Sequence, residues 1–266
     1  MNEHEAGQVT GSAAEVYEQF FVPALFGAWP DRVLRAAGTR PGNAVLDVAT
    51  GTGILARKAA ELVGPKGEVA GVDINEGMLA VARQKAPQIN WKLAAAESLP
   101  FDDARFDQVA SQFGLMFFRD PVQAIREMAR VLRPGGRLAV AVWDSLEATP
   151  GYAQLARLLG EFFGPEAAHA LQAPYALGDK EKLASLFAQA GLPEPAIETI
   201  AGTARFPSLA SWMYTDIKGW TLSGMIDDDG FEQLQHAAQE RLAPFVQADG
   251  SVAFAAPAHI VTVSRR

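Results

Sequence analysis

The sequence predicts an α/β fold in which a doubly wound, mostly parallel sheet of seven strands carries helical lid insertions. Between residues 42 and 143, short apolar runs alternate with amphipathic segments, which is the pattern of consecutive βαβ units. After residue 143 this alternation stops, and two further strand-like segments, 196–206 and 252–263, are separated by a polar and aromatic stretch. A long insertion between two neighbouring strands is a natural lid.

The alternating region contains five predicted strands and three predicted helices. The strands are expected at 44–48, 68–72, 91–95, 107–111 and 137–143, and the helices at 54–63, 76–86 and 121–132. Pro121 suits the first turn of its helix. Helices are also predicted at 13–20 and 24–37, broken at Pro23, and at 150–173 and 179–190.

Composition and charge exclude several classes of function. The 266 residues include no cysteine, which rules out disulfides, thiolate metal sites and a cysteine nucleophile. A net charge of −8 without a dense Lys or Arg run argues against a nucleic-acid partner. The acidic first residues and the absence of a long apolar run lead us to expect a cytoplasmic protein with no membrane partner.

Histidines show no metal-ligand spacing, so no metal site is predicted. They are scattered along the chain at His4, His169, His236 and His259. His236 lies in the predicted lid, and it is our candidate for a catalytic base if the reaction needs one.

The segment from Val45 to Gly53 carries the first chemical signal. An apolar strand ends in Asp47 and continues into a glycine-bearing loop that opens a helix, where unpaired backbone N–H groups can bind an anion such as a carboxylate. Asp73 ends the next predicted strand twenty residues after Gly53, and an acid at that position reaches ribose hydroxyls. The two features together predict a ligand that contains a nucleoside.

Two ligands fit this pattern. The run Gly51-Thr52-Gly53-Ile54-Leu55-Ala56 formally matches a dinucleotide-binding loop, which keeps an NAD-dependent oxidoreductase open. However, Asp47 lies close to where a pyrophosphate would sit, and no basic side chain stands in the loop. A cationic sulfonium ligand tolerates that carboxylate better.

Four stretches in order resemble the motifs of one family. These stretches are Asp47–Gly53, Gly71–Ile74, Ala96–Phe101 and Leu132–Gly136. They resemble the motifs of class I S-adenosylmethionine-dependent methyltransferases of the ubiquinone/menaquinone-biosynthesis type, also called methyltransferase type 11. The family usually has glycine where Ala49 stands. The resemblance implies the Rossmann-like class I methyltransferase fold, with S-adenosylmethionine as the cofactor and S-adenosylhomocysteine as the product.

The resemblance also implies the residues that meet the cofactor, apart from Asp47, whereas the acceptor residues are predicted from their positions after the fourth strand and in the lid. The predicted cofactor residues are Asp47, Ala49, Gly51, Gly53, Asp73, Ile74, Met78, Ala96, Glu97, Ser111 and Gln112. The predicted acceptor residues follow the fourth strand or lie in the lid, and they are Phe113, Met116, Phe117, Trp212, Tyr214 and Trp220.

These expectations define an organisation and a reaction. Residues 1–40 are expected to form N-terminal helices and a partial lid, 41–145 the cofactor-binding core, and 146–266 a helical cover with the last two strands, all in one structural domain. The reaction is expected to be in-line methyl transfer to a small, apolar or aromatic acceptor. A non-catalytic S-adenosylmethionine-binding protein is the alternative. Apolar surface for a lid contact or a homodimer interface is offered by Phe20, Phe21, Phe26 and Trp29. The sequence therefore does not decide between a monomer and a homodimer.

Overall fold

A seven-stranded sheet forms the centre of the computed structural model, which describes residues 11–219 and 221–265. Its strand order is β3-β2-β1-β4-β5-β9-β6, and β9 is antiparallel to both of its neighbours. The first five strands are parallel, as predicted. The strands are β1 (Ala44–Val48), β2 (Glu68–Asp73), β3 (Asn90–Leu93), β4 (Phe106–Gln112), β5 (Leu132–Trp143), β6 (Ala196–Ile200) and β9 (Ala258–Ser264).

Both faces of this sheet are covered by helices, because its central strands are apolar on both sides. All five residues of β1 are buried, and Val45 and Leu46 pack into separate hydrophobic cores on opposite faces. The described helices of the first half are α1 (Gly11–Val16), which continues as a π-helix (Tyr17–Phe26), α2 (Pro30–Ala37), α3 (Ile54–Val63), α4 (Glu76–Lys85) and α5 (Pro121–Val131).

Two of these helices begin at a side chain that accepts a hydrogen bond from a backbone N–H group of the first turn. The Asn75 side chain accepts a hydrogen bond from the Met78 backbone N–H at the start of α4. Asp120 accepts from the Gln123 N–H at the start of α5, where Pro121 occupies the first turn as predicted.

The predicted break at Pro23 is wrong. The π-helix runs through Pro23, and the helical segment ends at Gly27, whose N–H donates to the Val22 carbonyl at 2.7 Å. An ordinary α-helix would place the proline ring against the carbonyl four residues earlier, and the wider π-turn relieves that clash.

The two strands predicted in the last third are each split in the structure. Residues 203–206 form β7 (Thr203–Phe206), which pairs antiparallel with β8 (Val252–Ala255) in a separate two-stranded ribbon. Gly202 lies at the first bend, and a Cβ there would stand 2.2 Å from the Ala256 carbonyl oxygen and 2.5 Å from the Trp29 ring. This close packing turns the chain out of the sheet and into the ribbon.

The ribbon carries the insertion that covers one end of the sheet. The predicted helix 150–173 is interrupted at Gly164, which has φ +85° and is followed by a proline. No helix in residues 11–219 and 221–265 is both long and apolar enough to cross a membrane. The cover helices are α6 (Pro150–Phe163), α7 (Pro165–Gln172), α9 (Leu209–Lys218) and α10 (Asp228–Arg241), whereas α8 (Lys180–Gln189) packs beside α5 on one face of the sheet.

Candidate functional site

A cavity of about 210 Å³ lies between the carboxyl ends of the parallel strands and the helical cover. This edge of a doubly wound sheet is where ligands bind in such folds. Side chains from the strand ends and from the loops after them form one wall, and they include Ala49, Gly51, Asp73, Gln112, Phe113 and Trp143. The N-terminal π-helix and the cover form the other wall, with Tyr17, Phe21, Phe26, Tyr152, Tyr175 and Asp216.

The loop after β1 uses a backbone conformation that favours glycine. Ala49, Gly51 and Gly53 have φ values of +57°, +56° and +84°. A Cβ at Gly53 would lie 2.5 Å from the Trp91 ring, and a Cβ at Gly114 would lie 2.6 Å from the Ala49 methyl group. The alanine that departs from the family pattern therefore sits in a left-handed conformation, and Gly114 leaves room for its side chain.

Asp47 holds this loop in place. Its Oδ2 accepts hydrogen bonds from the Thr50 hydroxyl at 2.5 Å and from the Ala56 N–H at 3.0 Å. Burial raises the pKa of Asp47 to about 7. Asp47 does not line the cavity, so its contact with a cofactor stays a prediction, whereas its contacts with the loop are observed.

Asp73 ends β2 and lines the cavity. Its Oδ2 accepts from the Gly51 N–H at 2.7 Å, and its Oδ1 accepts from the Asn75 N–H at 2.9 Å. Burial raises the pKa of Asp73. Because a carboxylate oxygen can accept more than one hydrogen bond, the fixed carboxylate suits the two neighbouring hydroxyls of a ribose.

Unpartnered acceptor atoms lie beside the same strand ends. Gln112 lines the cavity, its Nε2 donates to the Phe26 carbonyl at 3.4 Å, and its buried Oε1 has no hydrogen-bond partner among the described residues. Asp47 Oδ1 and Ser111 Oγ are likewise buried without a partner in the described part of the chain, although neither residue lines the cavity. Buried acceptors normally have donors, so the Gln112 oxygen fits a ligand that brings an N–H group.

The predicted adenine residues divide into two sets. Ile74 and Met78 line the cavity, and Ile74 leaves 58% of its surface exposed at the rim. Ala96 packs into the hydrophobic core, and Glu97 accepts a hydrogen bond from the Asp120 N–H at 3.2 Å. Of these four described residues, Ala96 and Glu97 do not line the cavity.

Part of the strand-end wall is aromatic. The Phe113 and Trp143 rings stack with centroids 3.9 Å apart and planes inclined by 11°. Phe26 lies beside both rings, with centroid distances of 5.6 Å and 6.0 Å. Phe117 also lines the cavity, as predicted for an acceptor residue.

Several predicted residues lie elsewhere. Among those that the structure describes, Met116 packs against the core, Trp212 is fully buried, and Tyr214 is half exposed; none of the three lines the cavity. His236 is exposed on α10 and does not line the cavity, so the structure gives no support to its role as a base. Trp220 falls outside the described residues. Helical spacing alone does not show which side of a cover helix meets the site.

Sequence reasoning missed the cover residues that do line the cavity. These residues come from four separate elements, and they are Trp143, Tyr152, Tyr175 and Asp216. The strand-end position of Trp143 was a usable signal, since ligands meet this fold at the ends of its strands. No local pattern marked the other three.

An acidic residue ties the N-terminal segment to the cofactor loop, and it was also missed. Glu18 accepts hydrogen bonds from the Thr52 hydroxyl and from Arg57 Nη2 at 2.9 Å, and it pairs with Lys85 Nζ at 3.1 Å. We call Glu18 and these three partners the Glu18 latch. Tyr17, beside it, lines the cavity from the same π-helix.

Comparison with known proteins agrees with this geometry. The model of the ubiE/COQ5 methyltransferase family matches residues 23–204. This chain belongs to that family. The assignment confirms the predicted fold class, the S-adenosylmethionine cofactor and methyl transfer to a small molecule, and it decides between the two ligands of the glycine loop against a dinucleotide.

Curated relatives of this chain, among them proteins of Shewanella sediminis and Ectopseudomonas mendocina, carry the name ubiquinone/menaquinone biosynthesis C-methyltransferase UbiE. The protein of Shewanella sediminis is 35% identical over 246 residues, which is 88% of this chain and 86% of that protein. The protein of Ectopseudomonas mendocina is 44% identical over 140 residues, and this match spans only about half of each chain, 50% of ours and 53% of the relative.

A solved structure shows the same fold. Phosphoethanolamine N-methyltransferase 2 of Haemonchus contortus, in complex with S-adenosyl-L-methionine, is similar with a TM-score of 0.63 and 19% identity. The match covers 100% of this chain and 60% of that one.

Proposed function

We propose that this enzyme methylates a hydroxylated aromatic small molecule, of the phenol or quinol type. One observation carries the proposal: a single cavity joins the nucleoside-binding end at Asp73 to a wall of stacked aromatic rings at Phe113 and Trp143. Flat apolar walls favour a flat apolar ligand. The two curated relatives are named for methylation in quinone biosynthesis, which agrees with an acceptor of this type.

We assign the cofactor to the strand-end wall. Asp73 would bind its ribose, and Ile74 and Met78 would flank its adenine. The methionine part would lie between the loop that contains Gly51 and the side chain of Gln112 at the end of β4. When bound, S-adenosylmethionine supplies an electrophilic methyl group on a sulfonium centre.

The protein's contribution to this reaction is alignment and exclusion of water. Most of the cavity lining is apolar, and the cover closes over the strand ends. Holding two reactants in line contributes roughly 7–11 kcal/mol of barrier lowering in favourable cases. The stacked pair of Phe113 and Trp143 would set the plane of the acceptor ring relative to the methyl group.

The experiment has two stages. Titration calorimetry with S-adenosylhomocysteine, and with NADH as the control, tests the cofactor site first. Transfer of a labelled methyl group is then measured with hydroquinone and catechol as acceptors, against aniline, thiophenol and 1,4-dimethoxybenzene. We expect transfer to the hydroxylated rings. Binding of S-adenosylhomocysteine with transfer only to amines or thiols, or to none of the panel, contradicts the proposed acceptor class.

A further inference from the structure

A buried carboxyl group faces the cavity from the cover. Asp216 lies on α9, within the insertion between β7 and β8, and only 5% of its surface is exposed. It lines the same cavity as Asp73, which belongs to the strand-end wall. The cavity therefore has one acidic residue on each of its two walls.

The contacts of Asp216 leave its carboxyl group only partly satisfied. The Tyr152 hydroxyl stands 3.2 Å from both Oδ1 and Oδ2, so one O–H proton is shared between two oxygens. Within residues 11–219 and 221–265, no Lys, Arg or His forms an ion pair with Asp216. A buried carboxylate with only neutral donors near it is unfavourable, so this group favours its protonated form unless a ligand supplies a further donor.

The neighbours of this group are neutral rather than charged. Tyr152 reaches it from α6, and Tyr175, from the turn after α7, lines the cavity beside it. Burial raises the pKa of both tyrosines well above the usual value, so both stay protonated and act as donors. Burial raises the pKa of Asp216 to about 8, against the smaller opposing effect of Tyr152 and Trp212. Such a group can exchange protons with a phenol near neutral pH.

We propose that Asp216 binds the hydroxyl group of the acceptor and removes its proton during methyl transfer, with Tyr152 as the positioning residue. This inference rests on the proposed function, because it requires an acceptor that carries a hydroxyl group. In this proposal the cover contributes a catalytic residue as well as closing the cavity.

The step balances in atoms and electrons. The acceptor's O–H proton moves to a carboxylate oxygen of Asp216, and the freed electron pair forms the new bond to the methyl carbon from the oxygen or, through the ring, from the adjacent carbon. The bond between methyl carbon and sulfur breaks, and its electron pair stays on sulfur. After transfer to carbon, that ring carbon loses its own proton and the oxygen regains one. Asp216 later releases its proton to water.

Asp216→Asn tests the proposal directly, because it keeps the shape of the side chain and removes the base. With hydroquinone as acceptor, we expect kcat to fall at least a hundredfold while the affinity for S-adenosylhomocysteine stays within twofold. In the wild type, kcat should rise with pH through one ionisation near 8, and this rise should be absent in the variant. Asp228→Asn is the matched control: Asp228 is exposed in the same insertion and pairs with Lys218 at 2.7 Å. Its kcat should not change.

Tyr152→Phe adds a readout that a purely structural role would not move. Losing the donor to Asp216 raises the pKa of the carboxyl group, so the pH profile of kcat should shift to higher pH with full activity at the plateau. If Asp216→Asn is misfolded and does not bind S-adenosylhomocysteine, the pH profile of Tyr152→Phe still tests the role of Asp216 as the base.

The outcomes separate the two hypotheses. An unchanged kcat and pH profile in Asp216→Asn, or an unmoved profile in Tyr152→Phe, overturns the role of Asp216 and leaves the proposed function intact. Transfer by the wild type to amines alone overturns both, and would make Asp216 a binding site for a cation.

Discussion

Two strand-end aspartates show how position decides what a side chain does. Asp47 is the penultimate residue of β1 and Asp73 is the last residue of the neighbouring parallel strand β2, and both are nearly fully buried. Asp47 turns toward the loop and accepts hydrogen bonds from Thr50 and Ala56, whereas Asp73 faces the cavity. Both acids were predicted to bind the cofactor, but only the tertiary structure showed that Asp73 lines the cavity and Asp47 does not.

We expect Asp73→Ala to weaken binding of S-adenosylhomocysteine by roughly 1–3 kcal/mol, through loss of charge-assisted hydrogen bonds to the ribose. Titration calorimetry measures this directly. Asp73→Asn should fall between the wild type and the alanine variant, since it keeps one acceptor oxygen. Asp102→Ala, at an exposed position, is the control. Equal affinities for the wild type and Asp73→Ala would remove Asp73 from the site.

The glycine loop is an element whose backbone conformation and packing act together. Gly53 combines φ +84° with close contact to Trp91. Gly38 has a similar left-handed conformation, φ +72° and ψ +31°, and no described residue beyond its chain neighbours lies within 4 Å of the position that a Cβ would take. Left-handed strain alone costs about 1–2 kcal/mol, and forcing atoms into a packed region adds about 1–3 kcal/mol.

We therefore expect Gly53→Ala to lower the free energy of unfolding by at least about 1 kcal/mol more than Gly38→Ala does. Urea unfolding followed by circular dichroism measures both. Equal losses would mean that the Trp91 ring moves aside without cost.

The Glu18 latch joins the N-terminal segment to α3 and α4. The Glu18 side chain is 12% exposed, so its ion pairs are better protected from solvent than those of a surface residue. The same π-helix covers the cavity with Tyr17 and Phe21. Loss of the latch should therefore loosen the cover over the cofactor.

For Glu18→Gln we expect S-adenosylhomocysteine to dissociate several-fold faster, in line with a loss of about 1 kcal/mol in the closed state. Stopped-flow tryptophan fluorescence measures the rate. Glu15→Gln is the control, because Glu15 is exposed on α1, belongs to no contact of the latch and does not line the cavity. The same dissociation rate in both variants would show that the latch does not retain the cofactor.

Across the whole molecule, buried acids make stability depend on pH. Burial raises the pKa values of Asp47 to about 7 and of Asp216 to about 8, and it raises that of Asp73 as well. Between the unfolded and folded pKa values, the folded state binds more protons than the unfolded chain does. Stability is therefore highest below this window and is lost as pH rises through it.

Asp216→Asn should lower by one the number of protons that the folded state binds in excess of the unfolded chain. We expect the wild type to lose about 2 kcal/mol more unfolding free energy than the variant between about pH 6 and pH 8, because a full proton difference is worth about 1.4 kcal/mol per pH unit. Urea unfolding at the two pH values tests this. Parallel losses in the two proteins would show that Asp216 does not titrate in this window.

The sheet and the glycine loop could be predicted from the residues alone, whereas the cofactor was predicted from the resemblance of four motifs to a known family. Strand β1 was predicted at its observed bounds, 44–48, and Gly51 and Asp73 were assigned to a site that they line. These features are local: a buried parallel strand is a continuous apolar run, and the loop conformation needs glycine within a few residues of the strand.

The acceptor side depends instead on tertiary packing. Trp212 and Asp216 lie one turn apart on α9, yet the predicted tryptophan packs in the core and the unpredicted aspartate lines the cavity. The bend at Gly202 likewise depends on Trp29, which lies far earlier in the chain. The wall of a cavity is assembled from segments that are distant in sequence, and no local periodicity records which of their faces will meet.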